Sequence, residues 1–359
     1  MRSVNCTIRL NGNIAPVGTP VDARLDADND TIAYPGQVEE PGRLIFHLPD
    51  GHPYGGAWID VRLDGYEGVS DRVVLPLENA TEGPEIRLVS KPLQKIHIQG
   101  QHFYTADGQP WIWKGASDFS LYKHYLEGRD ITPLLRERRF AGANLVRVFG
   151  LIAWDNWKLD PHDHPGYYAN IPGFAALLAQ HGLYMEYVVF TARKFFPNLD
   201  TQAHYAQCCD ALRQCPNVFV ELCNEFKKNG IDPLQFTKPT GLIASAGSGL
   251  SDSSPGIYWD FFGWHGRRDW PKLPFVDDMH TIAKRENIVG VHDEPIGAHE
   301  IDIPGRRTTS ALAMQSIASE GVRLGAGATF HSEAGLRSDH WGNVQYRLAH
   351  VFFAAMDVV

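Results

Sequence analysis

The chain has 359 residues, of which 43% are hydrophobic and 21% are charged. This composition is typical of an ordered globular protein with material for one large and one small domain. The formal net charge of -9 argues against a nucleic-acid partner, because phosphate binding needs clustered lysine and arginine. No run reaches 18 apolar residues, so no membrane-spanning helix is expected.

The cysteines show no CxxC spacing, so we expect reduced thiols, without a disulfide framework or a zinc site. Residues 1–6 lead into an alternating pattern without the apolar core of a secretory signal, and synthesis in the cytoplasm is therefore expected. An extracellular or virion-associated location stays open. The sequence implies no cofactor and indicates no oligomeric state. The five cysteines are Cys6, Cys208, Cys209, Cys215 and Cys223.

Residues 1–92 carry short alternating runs that are separated by turn signals such as Asn11-Gly12 and Asp50-Gly51. This pattern predicts a small antiparallel β-sandwich, either Ig-like or an accessory module. Both sugar binding and a purely structural role are open for it. The predicted strands include residues 6–10, 43–48, 57–63 and 72–75.

After a hairpin pattern at residues 93–110, apolar strand-like runs alternate with helical segments. Eight βα units in roughly 250 residues predict a (β/α)8 TIM barrel over 93–359, whose reactive groups lie at the carboxyl ends of the strands. The helices after the fourth and fifth runs are short or missing. The eight runs are 111–116, 144–149, 183–189, 218–222, 242–246, 258–262, 288–292 and 328–331. The helical segments are 131–140, 172–181, 202–213, 275–285, 310–320 and 343–356.

Glutamates follow three of the predicted strands. Asn224-Glu225 ends the fourth run, Glu294 follows the seventh and Glu333 follows the eighth. A retaining glycosidase needs one carboxyl group as acid/base and a second, about 5 Å away, as nucleophile. Glu294 lies 69 residues after Glu225, about 23 per unit over three units, which agrees with the short fourth and fifth units.

From Trp111 onward the chain resembles the clan of retaining glycoside hydrolases with (β/α)8 barrels, most like its family 5 cellulase and mannanase-type members. Asn224-Glu225 and the segment Gly142-Ala143-Asn144-Leu145-Val146-Arg147 carry the resemblance, as do Asp107-Gly108-Gln109-Pro110 and Lys114-Gly115 at the barrel entrance. The resemblance implies Glu225 as acid/base and Glu294 as nucleophile. It also implies that Arg147 supports the nucleophile and that His265 orients a carboxylate or binds substrate.

These roles have physical requirements. Glu225 must be protonated near neutrality, which burial and a neighbouring Glu294 carboxylate would favour, and Glu294 must stay ionised beside Arg147. Asn224 can donate to the sugar 2-hydroxyl. Glu333 is expected to support the site or bind substrate, and it is the rival nucleophile. We expect aromatic sugar platforms at the mouth from Trp154, Trp157, Trp259, Trp264 and Trp341.

The chain departs from the family at two places. Arg267 stands where the family usually has a tyrosine, and Ser332-Glu333 stand where it has a tryptophan, for which Trp341 could substitute. These departures leave the exact family, the sugar, the linkage, and internal versus terminal cleavage open.

Two other functions remain. The first is a barrel of a phage particle or surface assembly that binds glycan without cleaving it. The second is a metal-dependent hydrolase that uses His162, Asp163 and His164, since histidine and carboxylate are common metal ligands. The competing interpretation of residues 162–164 is a solvated loop. Elemental analysis of the purified protein would distinguish a metal site from such a loop.

Overall fold

In the computed structural model the chain divides into two compact units, Met1–Pro92 and Leu93–Val359. In the first unit the structure describes the backbone of the strands given below. In the second it describes residues 93–154, 157–250, 256–265, 281–293, 311–323, 327–331 and 343–357. Within these ranges, the structure does not describe the side chains at 136, 140, 154, 157, 249–250, 292–293, 311–313 and 343–347. In the first unit it describes the side chains of Thr7 and Ile8 only.

The described parts of the first unit are all β-strands, as predicted. Its strands form two sheets, one of order β2-β1-β8-β7 with β5 also paired to β1, and one of order β4-β3-β6. The expectation of purely antiparallel strands is wrong, because β1 and β8 pair in parallel. Alternation of side chains determines which face each residue occupies but not the direction of the neighbouring strand. The predicted strand at 72–75 lies outside the described residues. The strands are β1 (Arg2–Leu10), β2 (Asn13–Ile14), β3 (Pro20–Ala27), β4 (Asp30–Gln37), β5 (Arg43–Leu48), β6 (Ala57–Arg62), β7 (Tyr66–Val69) and β8 (Glu82–Ser90).

The second unit begins with a small antiparallel sheet of β9 (His97–Gln99), β10 (His102–Tyr104) and β11 (Pro110–Trp111). Phe103 of this sheet is buried, and its ring packs against Trp113, Phe219 and Phe261 at 5.5–6.4 Å between ring centroids. These three residues lie at or near the start of barrel strands. The hairpin predicted at 93–110 therefore closes the amino-terminal end of the barrel.

Eight parallel strands form a nearly closed barrel, which confirms the predicted fold class. Each of the eight predicted runs is a strand, although the sixth begins three residues later than predicted. Pairing of Trp113 with Gly327 joins the first strand to the eighth, and single pairs join the fifth to the sixth and the seventh to the eighth. The barrel strands are β12 (Trp113–Asp118), β13 (Leu145–Phe149), β16 (Tyr184–Phe190), β17 (Val218–Cys223), β18 (Ile243–Ser245), β20 (Phe261–His265), β21 (Val289–Asp293) and β22 (Gly327–Phe330).

Beside β9, β10 and β11, the described ranges contain three further short strands outside this ring: β14 (Ile152–Trp154) and β15 (Trp157–Leu159), which form a hairpin, and β19 (Gly249–Leu250), which extends beside β20. The helices are α1 (Leu121–Leu126), α2 (Thr132–Ala141), α3 (Tyr167–Gln180), α4 (Thr201–Leu212), α5 (Phe226–Asn229), α6 (Ala311–Arg323) and α7 (Asn343–Met356). Residues 281–286 are also helical.

The predicted helices are confirmed where the structure describes them, and α7 has the predicted bounds. α3 starts five residues before Pro172. The proline therefore lies inside the helix, where it has no N–H to donate to the carbonyl oxygen of Tyr168, and the packing of the helix on the barrel overrides the local preference of proline for a helix start. α1 was not predicted. The fourth strand is followed by the four-residue α5 and the short 3-10 helix Pro233–Gln235, as expected from the short spacing.

The direction of side chains divides the barrel into layers. Successive residues of a strand point to opposite faces, so Val146, Val148, Val220 and Leu222 pack outward in the core shared with the helices. The alternate positions point inward. Near the amino-terminal end they are apolar and pack with Phe103: Trp113, Leu145, Tyr184, Phe219, Phe261 and Val289. One level higher the inward positions are polar, and these carry the candidate site.

Candidate active site

The Asn224-Glu225 pair lies at the carboxyl end of the fourth barrel strand, as predicted. The Asn224 N–H donates to the carbonyl oxygen of Phe190 on β16 at 3.0 Å, which continues the strand pairing one residue past β17. The backbone then turns at Glu225, which has φ 44° and ψ 57°. This left-handed conformation costs a non-glycine residue roughly 1–2 kcal/mol, and such strain concentrates at functional sites.

The Glu225 carboxylate is mostly buried and contacts two basic groups. Its side chain is 11% exposed, and Oε2 accepts a hydrogen bond from Lys228 Nζ at 2.6 Å. Oε1 lies 3.9 Å from Nδ1 of His265, a buried residue at the end of the sixth strand. The structure therefore brings Glu225 and His265 together, across 40 residues of sequence.

Arg147 extends from the second strand into a buried network of polar groups. Its Nε and Nη2 donate to Oε2 of Glu221 at 2.9 and 2.6 Å, and Nη2 also donates to Oδ1 of Asn224 at 2.9 Å. Oε2 of Glu186, on the third strand, lies 3.5 Å from Nε. The arginine thus neutralises a buried carboxylate and holds Asn224 at the same time. The resemblance also implies that Arg147 supports Glu294, but Glu294 lies outside the described residues.

The amide of Asn224 has one defined orientation. Arginine can only donate hydrogen bonds, so the atom that faces Nη2 must be the amide oxygen. Ser248 Oγ is 3.4 Å from the same oxygen. The amide nitrogen of Asn224 makes no hydrogen bond with any part of the chain that the structure describes. It is therefore available as a donor, which is the role predicted for it.

The loop after the fifth strand closes the network from the other side. The Ser248 N–H donates to Oε1 of Glu221 at 3.0 Å, and the Glu225 N–H donates to Ser248 Oγ at 3.3 Å. Gly247 has φ +128°, and a Cβ there would lie 2.7 Å from the carbonyl oxygen of Cys223. The close approach that delivers Ser248 thus requires glycine.

A second support lies behind Asn224. Asn229 Nδ2 donates to the Asn224 carbonyl oxygen at 2.6 Å, and Asn229 Oδ1 accepts from the Ala192 N–H at 2.8 Å. Ala192 follows the third strand and has φ 53°. Asn229 therefore ties the loop after the third strand to the fourth strand at the position of the candidate acid.

Cys223 lies between the two glutamates of the fourth strand. Burial, together with the negative charges of Glu221 and Glu225, raises the pKa of its thiol well above its usual range. The thiol is thus neutral and poorly nucleophilic. Cys208, Cys209, Cys215 and Cys223 are all free and buried, in agreement with the expected reduced thiols, and Cys6 lies outside the described side chains.

The second carboxylate lies beyond the described residues. Glu294 directly follows Asp293, the last residue of β21, and Glu333 follows β22 by three positions. β21 pairs with the sixth and eighth strands, and β22 pairs with the first. The predicted numbering of these strands as seventh and eighth is therefore confirmed, whereas the placement of the two side chains is untested.

The predicted tryptophan platforms have different outcomes. Trp264 is only 4% exposed, and it packs against Phe262 on the outward face of β20, so it does not present a ring to the mouth. Trp259 precedes β20 and thus lies on the amino-terminal side of the sixth strand. Both expectations are wrong, because hydropathy alone does not show which face or end of a strand carries an aromatic ring. Trp341 and the side chains of Trp154 and Trp157 are not described.

The structure offers another aromatic residue on the mouth side. Phe195, in the short helix Arg193–Phe195 after the third strand, is 55% exposed. Arg193 stabilises this turn by donating to the carbonyl oxygens of Phe196 and Leu199 at 2.6 and 3.2 Å. The ring is thus held on an ordered loop at the carboxyl ends of the strands.

Sequence reasoning missed Glu221, Glu186, Ser248 and Lys228. A signal existed for Glu221, since an acid in the middle of a buried strand needs a cation, and Arg147 sits on a strand of the same sheet. Ser248 had no such signal, because it depends on how the loop after the fifth strand folds back.

The described residues bear on the expected absence of a membrane span and on the alternative metal site. In the described ranges of both units, no helix combines the length and hydropathy needed to cross a bilayer. Within the same ranges, no three His, Cys, Asp or Glu side chains converge as metal ligands would. Asp160 instead accepts from the His162 N–H at 3.0 Å and caps the short helix Pro161–Asp163.

A cavity of about 420 Å³ lies away from this site. It is lined by residues at the amino ends of the third to fifth strands, among them Tyr184, Val218 and Ile243. Active sites of (β/α)8 enzymes lie at the opposite face.

Comparison with solved structures agrees with the (β/α)8 fold. No protein-family model and no curated protein sequence matches the chain. A proposed glycoside hydrolase from Bacteroides vulgatus matches with a TM-score of 0.56 at 13% identity, over 99% of this chain and 77% of that one. A family 5 glycoside hydrolase from the same organism matches with a TM-score of 0.51 at 13% identity, over 67% and 62% of the two chains.

The catalytic domain of the Thermobifida fusca endoglucanase Cel5A, solved with cellotetraose, matches with a TM-score of 0.52 at 12% identity, over 73% of this chain and 98% of that one. At such identities the likeness establishes the fold. The chain has the (β/α)8 barrel that these glycoside hydrolases share.

Proposed function

We propose that the chain is a glycoside hydrolase that cleaves O-glycosidic bonds with retention of configuration. Glu225 would act as acid/base and Glu294 as nucleophile. The observation that carries the proposal is the position of Asn224-Glu225 at the carboxyl end of the fourth strand, held by Arg147 from the second strand and faced by His265 from the sixth.

The geometry supports the chemistry of this reaction. A retaining enzyme needs a carboxyl group that first gives a proton to the leaving oxygen and then takes one from water. The Glu225 carboxyl group, which is 11% exposed at the end of the fourth strand, is our candidate for this, and the amide nitrogen of Asn224 is available to the sugar 2-hydroxyl. Both groups are held by hydrogen bonds, and such preorganisation is what stabilises a transition state.

Strand numbering supports Glu294 rather than Glu333 as the nucleophile. β21 is the seventh strand of the barrel, and Glu294 is the first residue after it. Glu333 follows the eighth strand. We therefore assign Glu333 to substrate binding or to support of the site. We also propose that the exposed ring of Phe195 stacks on a sugar residue of the substrate, since sugar rings have apolar faces.

We take the first substrate class to test from the structural neighbours. Because one of them was solved with cellotetraose, a β-glucan is the first substrate to test, beside a panel of aryl glycosides. Glu225→Ala should lower turnover of glycans by about 10²–10⁴-fold, the usual contribution of a general acid. Glu294→Gln should abolish turnover of every substrate, while Glu333→Gln should retain measurable activity.

A mechanism-based fluoro-sugar followed by peptide mass spectrometry should label Glu294, and NMR of the first product should show the retained anomeric configuration. Unchanged turnover in Glu225→Ala or Glu294→Gln would refute the assignment, and a label on Glu333 would move the nucleophile there. Affinity for cellotetraose without turnover by the wild-type chain would favour the non-catalytic glycan-binding barrel.

A further inference from the structure

Lys228 forms an ion pair with Glu225, the proposed general acid. Its Nζ donates to Glu225 Oε2 at 2.6 Å from one turn along α5, while its side chain is 63% exposed. The left-handed backbone of Glu225 starts α5 directly after the acid. The strained turn and the helix together bring the ammonium group to the carboxylate.

The other groups around Glu225 belong to neighbouring elements. His265 from β20 lies 3.9 Å from the second carboxylate oxygen, and Ser248 accepts from the Glu225 N–H. Deeper in the barrel, the positive charge of Arg147 compensates the negative charge of Glu221. On α5 the neighbouring lysine, Lys227, is exposed as well.

The contact with Lys228 opposes the role of a general acid. A cation within hydrogen-bond distance favours the ionised carboxylate, whereas protonation of a leaving group requires the neutral acid. The conflict disappears if the ammonium group moves away before the reaction. Such movement is easy, because the lysine end of the pair is 63% exposed and can be hydrated by solvent, and a lysine side chain is a flexible four-carbon stem.

We propose that Lys228 is a positioning residue that holds Glu225 ionised and turned toward α5 until the leaving-group portion of the substrate displaces it. This inference rests on the proposed function. After displacement, Glu225 takes a proton from solvent and transfers it to the glycosidic oxygen. The bond from that oxygen to the anomeric carbon breaks as the nucleophilic carboxylate bonds to the same carbon.

The first test measures titration without turnover. In the full chain labelled with [¹³Cδ]glutamate, the Glu225 signal is assigned by its loss in Glu225→Gln. In Lys228→Met the titration midpoint of this signal should rise by about half a pH unit or more. The expected rise is kept this small because Lys228 is exposed and solvent screens its charge. In the matched control Lys227→Met the midpoint should equal that of the wild-type chain.

The second test uses the dependence on the leaving group. For a glycan leaving group, which needs a proton, the basic limb of the kcat/KM profile should move upward by the same amount in Lys228→Met and should not move in Lys227→Met. For a dinitrophenyl leaving group, which needs none, both variants should match the wild type.

An unchanged Glu225 midpoint in Lys228→Met overturns the proposal whatever the activity of the chain. A raised midpoint in Lys228→Met, together with a wild-type chain that hydrolyses no glycan, would confirm the electrostatic coupling and refute the hydrolase. Equal effects of Lys228→Met on both leaving groups would also overturn the proposal, because a general loss of structure or binding would act on both.

Discussion

Removal of Arg147 should be the most informative single change in this barrel. The guanidinium makes two hydrogen bonds to one oxygen of Glu221 and one to Asn224, and it lies 3.5 Å from Glu186. All of these groups are buried, and Glu221 is only 1% exposed. Arg147→Met keeps most of the side-chain volume and deletes the charge.

The expected loss follows from the desolvated carboxylates. Removing one partner of a buried ion pair typically costs about 3–5 kcal/mol, because the other charge is left without compensation. We expect a loss of this size in the free energy of unfolding, which is large beside the roughly 5–15 kcal/mol that stabilises a typical domain. Asn224 also loses its charge-assisted hydrogen bond, so glycan turnover should fall even in the fraction that remains folded.

Urea unfolding followed by tryptophan fluorescence measures the effect, with the transition of the barrel analysed separately from that of the first unit. The double variant Arg147→Met/Glu221→Leu should recover part of the stability, since it removes the uncompensated charge as well. The control is Arg213→Met, which breaks an exposed pair with Asp210 and should change stability by less than about 1 kcal/mol. A loss below about 1 kcal/mol in Arg147→Met itself would refute the reasoning.

Three further predictions concern other parts of the barrel. Burial lowers the pKa of His204 from 6.5 to about 4, so the unfolded chain binds a proton first as the pH falls. The free energy of unfolding should therefore be fully retained above about pH 6.5 and should lose about 3 kcal/mol by pH 4; urea titrations at several pH values should show this loss, and its persistence in His204→Gln would contradict the assignment. Gly327→Ala should destabilise the barrel by at least about 2 kcal/mol in the same assay, because φ is +99° and the new Cβ would lie 2.1 Å from the Trp113 carbonyl oxygen; a neutral effect would mean that the first and eighth strands do not meet there. Phe195→Ala should raise KM for a long β-glucan oligosaccharide several-fold and leave an aryl monoglycoside unchanged, whereas Leu234→Ala, which alters an equally exposed apolar side chain on the next loop, should change neither.

Much of the barrel could be predicted because its signals are local. The alternation of apolar runs and helical segments follows from the burial of strands on both faces and of one side of each helix. The observed start of α3 and that of the sixth strand differ from the predicted ones. At both places the preference of the local sequence competes with tertiary packing. Pro172 favours the start of a helix, yet α3 runs through it. The sixth strand begins only where Phe261 pairs with Ser245 of the fifth.

The candidate site was predictable only in part. Asn224, Glu225, Arg147 and His265 each follow or occupy a predicted strand, and parallel strands bring their carboxyl ends to one face. Trp264 was misassigned because an aromatic residue satisfies the hydropathy of either face. Lys228 was missed because its importance depends on the left-handed turn at Glu225, which no residue type in the sequence requires.

The sequence by itself determined the order of the eight strands and the residues that end them, because hydrophobic periodicity is a property of residues that are close in the chain. Only the tertiary structure decided which charges meet. Arg147 and Glu221 are 74 residues apart, Glu225 and His265 are 40 apart, and Ser248 reaches Glu221 through a loop that turns at Gly247. The physical reason is that ion pairs and hydrogen bonds depend on distances of a few ångströms, and such distances between remote residues exist only once the barrel has closed.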